Sequence, residues 1–201
     1  TYAEVDLYIE EMTTRQMIEA LKEGRIDAGI AATPLAETGI EETVLYREPF
    51  YLYVHGKHAF KKKKEVEVKA VDKSEVLLLS DGHCFRNQIV QLCKIKKRGV
   101  GGGVHFESGS LFTLIQLVNQ QYGVTFIPHL AVMHLSPQER KTRVKPIKGK
   151  CPVRTVSMIR HRTVLKASIA EALQQTIRKQ IPPEVLRVLG KSDYELNPIY
   201  E

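Results

Sequence analysis

Apolar residues in this chain change period repeatedly, from every second position to every third or fourth and back, and a chain so patterned stacks strands against helices. Val5, Leu7 and Ile9 alternate with polar neighbours as a half-buried strand does. Thr13 and Thr14 offer a helix cap before Met17, Ile18 and Leu21 at helical spacing, and the helix closes near Gly24. The run Asp27 to Ala32 reads as a buried parallel strand, so residues 5 to 32 are expected to form one right-handed βαβ unit. A second unit follows: Val76 to Leu79 as strand, Phe85 to Lys94 as helix, Val104 to Phe106 as strand. Leu111, Leu114, Ile115 and Val118 mark another helix, closed at Gly123 before a strand over Val124 to Ile127.

Two further strands, Glu48 to His55 and Val153 to Ile159, are placed to cross between two lobes, which leaves a cleft where small ligands commonly bind. Leu165, Ile169, Leu173 and Ile177 recur as on an amphipathic helix that Pro182 and Pro183 end, and the tail after Gly190 is expected to be loose. A length of 201 residues suits one domain or two small ones.

Composition narrows the function classes. The formal charge is +7, but its densest run, Lys61 to Lys64, has no interleaved aromatics and reads as a solvated loop; no nucleic-acid-reading module is legible. No apolar run approaches the roughly 18 to 20 residues of a membrane span, and the start lacks the pattern of a signal peptide. Three cysteines without a CxxC pair, and no ligand-spaced histidines, argue against a disulfide framework or a metal site and for a reducing cytoplasm. No cofactor motif is present.

Ser80 to Gln88 follows a strand and opens a helix, which puts Cys84 at the positive end of a helix dipole beside His83 and Arg86. Each of these favours thiolate, the form that attacks the O–O bond of a peroxide. The plainer alternative is a small buried hydrophobe beside a loop histidine. On one helix Cys84 and Cys93 would point to opposite faces, roughly 13 Å apart along the axis. A disulfide needs Cα atoms within about 7 Å. Pairing them would require the helix to unwind, making oxidation a conformational switch; Cys93 could equally be a core residue. Cys151, before Pro152, reads as a bystander.

The stretch DGHCFRNQ with a cysteine nine positions after Cys84, then VHFESGSLFTLIQLV, GVTFIP and PVRTVSMI, resembles the regulatory domain of the OxyR family, the hydrogen peroxide sensors among LysR-type transcriptional regulators. The resemblance covers most of residues 1 to 189. It implies an α/β fold of two Rossmann-like lobes of the periplasmic-binding-protein type joined by two crossover strands. Lobe I would be residues 1–47 with 154–190, lobe II residues 48–153, and the tail 191–201. It further implies that Cys84 reacts with peroxide and Cys93 resolves it, with Thr14, His83, His105 and Arg154 around the reactive cysteine or its entry pocket. Thr14 and His83 are suited to orient peroxide, and Arg154 to stabilise thiolate and leaving oxygen. Each has a structural alternative: Thr14 as a helix cap, His105 as a strand histidine, Arg154 as an ion-pair partner, Arg86 as a salt-bridge residue.

Asn87 stands where that family commonly has Asp, which removes a negative charge near Cys84. Gly99 to Gly103 makes a longer connector than the resemblance leads one to expect, lacks the GK[ST] of a phosphate loop, and could let the Cys93 segment move. Aligned with that family, the chain begins at the end of the first regulatory-domain helix, without the DNA-binding domain or the first strand of lobe I. The expected partners are hydrogen peroxide, a homodimer of this domain, a homotetramer in a full-length protein, promoter DNA through a separate N-terminal domain, and a reductant such as glutaredoxin or thioredoxin. The dimer contact is looked for at the edge around Val5, Leu7 and Ile9 or on the helix Leu111 to Val118. The expected role is a stoichiometric sensor rather than an enzyme. Two alternatives stay open: a thiol peroxidase using the same cysteines, and a non-redox LysR-type domain that binds a metabolite in the cleft.

Overall fold

A computed structural model describes residues 4–95, 109–163, 167–187 and 194–197. Two sheets share one long strand. Strand β1 (Gly29–Thr33), strand β5 (Pro152–His161) and the first part of β2 (Ile40–Tyr53) form an antiparallel sheet in the order β1-β5-β2. Beyond Pro49, β2 changes partners and pairs with β3 (Thr125–Pro128) and β4 (Val144–Pro146) in the second sheet. Proline offers no N–H to a ladder and fits such a handover point.

Helices cover both faces of each sheet. Helix α1 (Thr14–Lys22) lays Leu21 and Met17 against Ala31 and Ile159 of the first sheet. Helices α6 (Ala167–Gln180) and α7 (Pro183–Arg187) pack Ala170 and Val185 against Leu45 and Met158 on its other face. In the second sheet, α2 (Cys84–Cys93) buries Phe85, Ile89 and Cys93 among Phe50, Leu52 and Phe126, while α3 (Leu111–Asn119) sets Ile115 and Val118 against Tyr53 and Ile127. The short α4 (His129–Met133) and α5 (Pro137–Arg143) complete that lobe. On α2 the inward residues Phe85, Gln88, Ile89 and Cys93 fall at helical spacing, so one stripe faces the core and Cys84 lies off it. The result is the mixed α/β architecture expected.

Several local expectations change. Residues 5–13 form neither helix nor strand, and Val5, Leu7, Tyr8 and Ile9 are exposed. The βαβ unit over residues 5 to 32 is therefore not formed among the described residues, and β1 runs antiparallel to its partner. Short apolar runs identify buried strands without fixing their direction. Val76 to Leu79 contributes a single parallel bridge, Val76 to Val124, rather than a strand. The cap of α1 is Thr13, in a reciprocal capping box with Gln16, and Thr14 is the first helical residue. The tail is not loose throughout: β6 (Tyr194–Glu195) adds parallel to the start of β5, and Leu196 is fully buried. One apolar residue finding a core site, with its N–H on Val153 O at 2.8 Å, overrides a polar composition. The expected strand Val104 to Phe106, the Gly99 to Gly103 connector, His105 and Leu165 lie outside the described residues.

Candidate functional site

Helices α1 and α2 start beside one another. Gly82, at φ +88°, turns the chain into α2, and a Cβ on it would stand 3.3 Å from Thr13 Cγ2. This close approach brings two helix N-termini to one cavity of about 220 Å³ against the first sheet. Thr13, Thr14, Gly82, His83 and Cys84 line it from those termini, Tyr46, Arg154 and Val156 from β2 and β5, and Met12, Met17, Ile30, Ala31 and Ala32 from the apolar side.

Cys84 is the first helical residue of α2 and is half-buried; His83 occupies the N-cap position without a side-chain capping bond. The imidazole of His83 is therefore available to the cavity it lines. Thr14 is buried, and its hydroxyl has no hydrogen-bond partner among the described residues.

The floor is built by a cross-strand pair. Glu48 on β2 stands opposite Arg154 on β5, and Tyr46 opposite Val156. An irregularity between Val44 and Tyr46 leaves Leu45 to the other face of the sheet, where it packs toward α6 and α7. Glu48 is completely buried; its Oε1 accepts from Arg154 Nε at 2.8 Å and Nη2 at 2.7 Å, and its Oε2 accepts from Leu130 N at 3.0 Å. The guanidinium lies over Phe85 at 5.4 Å and Phe50 at 5.9 Å, against the residue that follows Cys84. Burial works against its charge, but Glu48 and the neighbouring Cys84 hold its pKa above the ordinary arginine value. Burial likewise pushes the Tyr46 phenol up to about 12, so it faces the cavity as a neutral O–H.

The structure thus brings Thr14, His83, Cys84 and Arg154 together. Arg86 turns away: its Nε meets Asp81 Oδ1 at 2.9 Å, and it does not line the cavity. Cys93 sits at the far end of α2, 5% exposed, and burial pushes its thiol pKa up to about 12. All three cysteines are free thiols. Tyr46, Glu48 and Thr13 escaped sequence reasoning, since a glutamate between Arg47 and Pro49 reads as a surface charge; the available signal was that Tyr46 and Glu48 share one face of a strand. Among the described residues no cluster of His, Cys, Asp and Glu could hold a metal ion, and no helix is long and apolar enough to cross a membrane.

The chain is similar in sequence and fold to known proteins. The hydrogen peroxide-inducible genes activator of Haemophilus influenzae is 29% identical over 158 residues, 79% of this chain and 52% of its own length. The DNA-binding transcriptional dual regulator OxyR of Escherichia coli K12 is 29% identical over 199 residues, 96% of this chain and 62% of its own. The chain thus spans roughly half to three-fifths of the curated relatives it matches. A crystal structure of an OxyR mutant from Porphyromonas gingivalis superposes with a TM-score of 0.83 at 28% identity, covering 96% of this chain and 88% of that one. The model of the LysR substrate binding domain matches residues 1–182, and the chain belongs to that family.

Proposed function

We propose that this chain is the hydrogen peroxide-sensing regulatory domain of a LysR-type transcription regulator, acting through Cys84 and Cys93. The observation that carries the reading is the placement of Cys84 at a helix N-terminus in a cavity shared with Arg154, His83 and Thr14. The Cys84 thiolate attacks one peroxide oxygen, the O–O bond breaks, and the departing hydroxide takes a proton to leave as water. Arg154 and the α2 N–H groups stabilise both anions. His83 and Thr14 orient the peroxide, and the product is a sulfenic acid. Cys93 sulfur then displaces the hydroxyl, which leaves as a second water, and a Cys84–Cys93 disulfide remains.

A ten-residue helix with a cysteine at each end keeps the two sulfurs apart, so the second step needs α2 to unwind. The unwound segment 84–103 would refold and shift a dimer interface, carrying the signal to promoter-bound domains elsewhere in a longer protein. His105 would join the pocket from the following segment. A dithiol protein such as glutaredoxin or thioredoxin would reset the switch, and the setting is the cytoplasm. One observation favours a second reading: about 220 Å³ exceeds what a peroxide fills, water itself taking about 30 Å³, so the cleft has room for a small metabolite.

The test is thiol counting in denaturant after one equivalent of hydrogen peroxide. The sensor reading expects two thiols lost in the wild type and no loss from Cys93 in Cys84→Ser. An unchanged count in the wild type contradicts it and leaves the metabolite reading. With a thioredoxin system added, a thiol peroxidase would consume excess peroxide continuously, whereas a sensor would not.

A further inference from the structure

Arg154 sits beside Cys84, and something must hold a long cationic side chain there against burial. Its head is fixed from two directions. Phe50 and Phe85, whose ring centroids are 5.3 Å apart, form an aromatic platform on one side of it, and Glu48 takes the Nε and an Nη2 donor through a single oxygen. The Nη1 side of the fork is uncommitted among the described residues, on a side chain that lines the cavity. Glu48 is itself immobilised. It has no solvent exposure, its other oxygen accepts from Leu130 N in the first turn of α4, and its strand position is registered directly opposite Arg154. A surface pair would let the arginine wander; this one has a carboxylate that cannot move without losing a backbone donor.

We propose that Glu48 is the positioning residue of the site: it clamps Arg154 so that the free edge of the guanidinium faces Cys84 and the oxygen that leaves from peroxide. The inference rests on the sensor reading for its substrate, while the Glu48–Arg154–Cys84 relation itself is geometric. Glu48 also ties the site to α4, on the opposite side of β2 from Cys84's helix, since the same carboxylate serves Arg154 and Leu130.

A charge-only role and a positioning role have opposite signs. Removing the negative charge of Glu48 while Arg154 stayed in place would leave the cation less neutralised and speed the reaction of Cys84. Removing the clamp lets the guanidinium swing out and slows it. The experiment measures the second-order rate of Cys84 oxidation by hydrogen peroxide in Cys93→Ser backgrounds of four proteins: otherwise wild type, Glu48→Gln, Arg154→Gln, and both together. The expected result is a fall of about tenfold or more in Glu48→Gln, a similar fall in Arg154→Gln, and no further fall in the double variant, because Glu48 acts only through Arg154. A Glu48→Gln rate at or above the parent, or single effects that multiply in the double variant, would overturn it.

Should Glu48→Gln fail to fold with its arginine orphaned, the doubly neutral variant removes both charges. The proposal then requires its rate to equal that of Arg154→Gln, and a slower double variant contradicts it. If Cys84 of the parent ignores peroxide, the sensor reading falls alone. Iodoacetamide alkylation of Cys84 in the same four proteins then reads the clamp by the same equality of Arg154→Gln and double-variant rates.

Discussion

Cys84 and Cys93 share a helix and differ in almost everything that governs a thiol. Cys84 faces the cavity at the positive end of α2, while Cys93 is packed among Phe50, Ile89 and Leu114 with its pKa pushed up to about 12 by burial. Against an ordinary thiol near 9, a shift of that size leaves Cys93 with roughly a thousandth of the thiolate at neutral pH. Peptide mapping after a short exposure of the reduced protein to iodoacetamide at pH 8 should find label on Cys84 far ahead of Cys93; equal labelling would mean that α2 opens freely. The linkage has a defined sign. A thiol whose folded pKa is raised favours the folded state fully below about pH 9, and that contribution is lost as pH climbs toward about 12. Thermal melts between pH 8 and 11 should therefore fall more steeply for the wild type than for Cys93→Ala. At this scale the sequence was legible where structure is local: the start of α2 at Cys84, on a helix N-terminus beside His83, could be read without any fold. Glu48 and Tyr46 were illegible because their meaning comes from a cross-strand partner more than a hundred positions away.

Element boundaries followed the hydrophobic period in α2 and α3, whereas β2 begins at Ile40, eight residues before the strand expected from Glu48. Helix α2 ends at Cys93, where Lys94 adopts φ 51°, and α3 runs from Leu111 to Asn119, both within a residue or two of the apolar pattern. The pattern misled where packing decides alone: Val5, Leu7 and Ile9 alternate like a strand yet have no sheet edge beside them among the described residues, and Leu196 found one despite its polar flanks. Gly123 shows a local rule enforced by distance. At φ +151°, a Cβ there would stand 2.2 Å from Glu75 O, the carbonyl that accepts from Val124 N. Gly123→Ala should cost about 1–3 kcal/mol of stability in a denaturant melt, from strained backbone alone. The tail makes a second test. Gln88, fully buried in the middle of α2, donates through Nε2 to Leu196 O at 2.7 Å, so unwinding α2 must break that bond. Disulfide formation should speed hydrogen exchange at the Leu196 amide, while peroxide-treated Cys93→Ser keeps it protected; identical exchange in both would separate the tail from the redox helix.

For the molecule as a whole, the two sheets meet through β2 and the turn into β5, and the cavity lies where α1 of one lobe and α2 of the other point their N-termini at the same space. That convergence sets two helix N-termini and the Arg154 guanidinium around the space that Cys84 also lines. The α/β class was legible from the alternation of periods but the strand directions were not, and the site only in part, since the cavity is assembled from α1, β1, β2, α2 and β5 and no stretch of sequence contains it. In the proposed switch Cys84 is oxidised first and Cys93 resolves it by leaving the core. Intact mass with peptide mapping after one equivalent of hydrogen peroxide, on the wild type and on Cys93→Ser, tests it most directly. The expected result is a loss of two hydrogens mapped to a Cys84–Cys93 disulfide in the wild type and a trapped sulfenic acid on Cys84 in the variant. Cys84 remaining reduced at stoichiometric peroxide, while the denatured protein's thiols react normally, would contradict it.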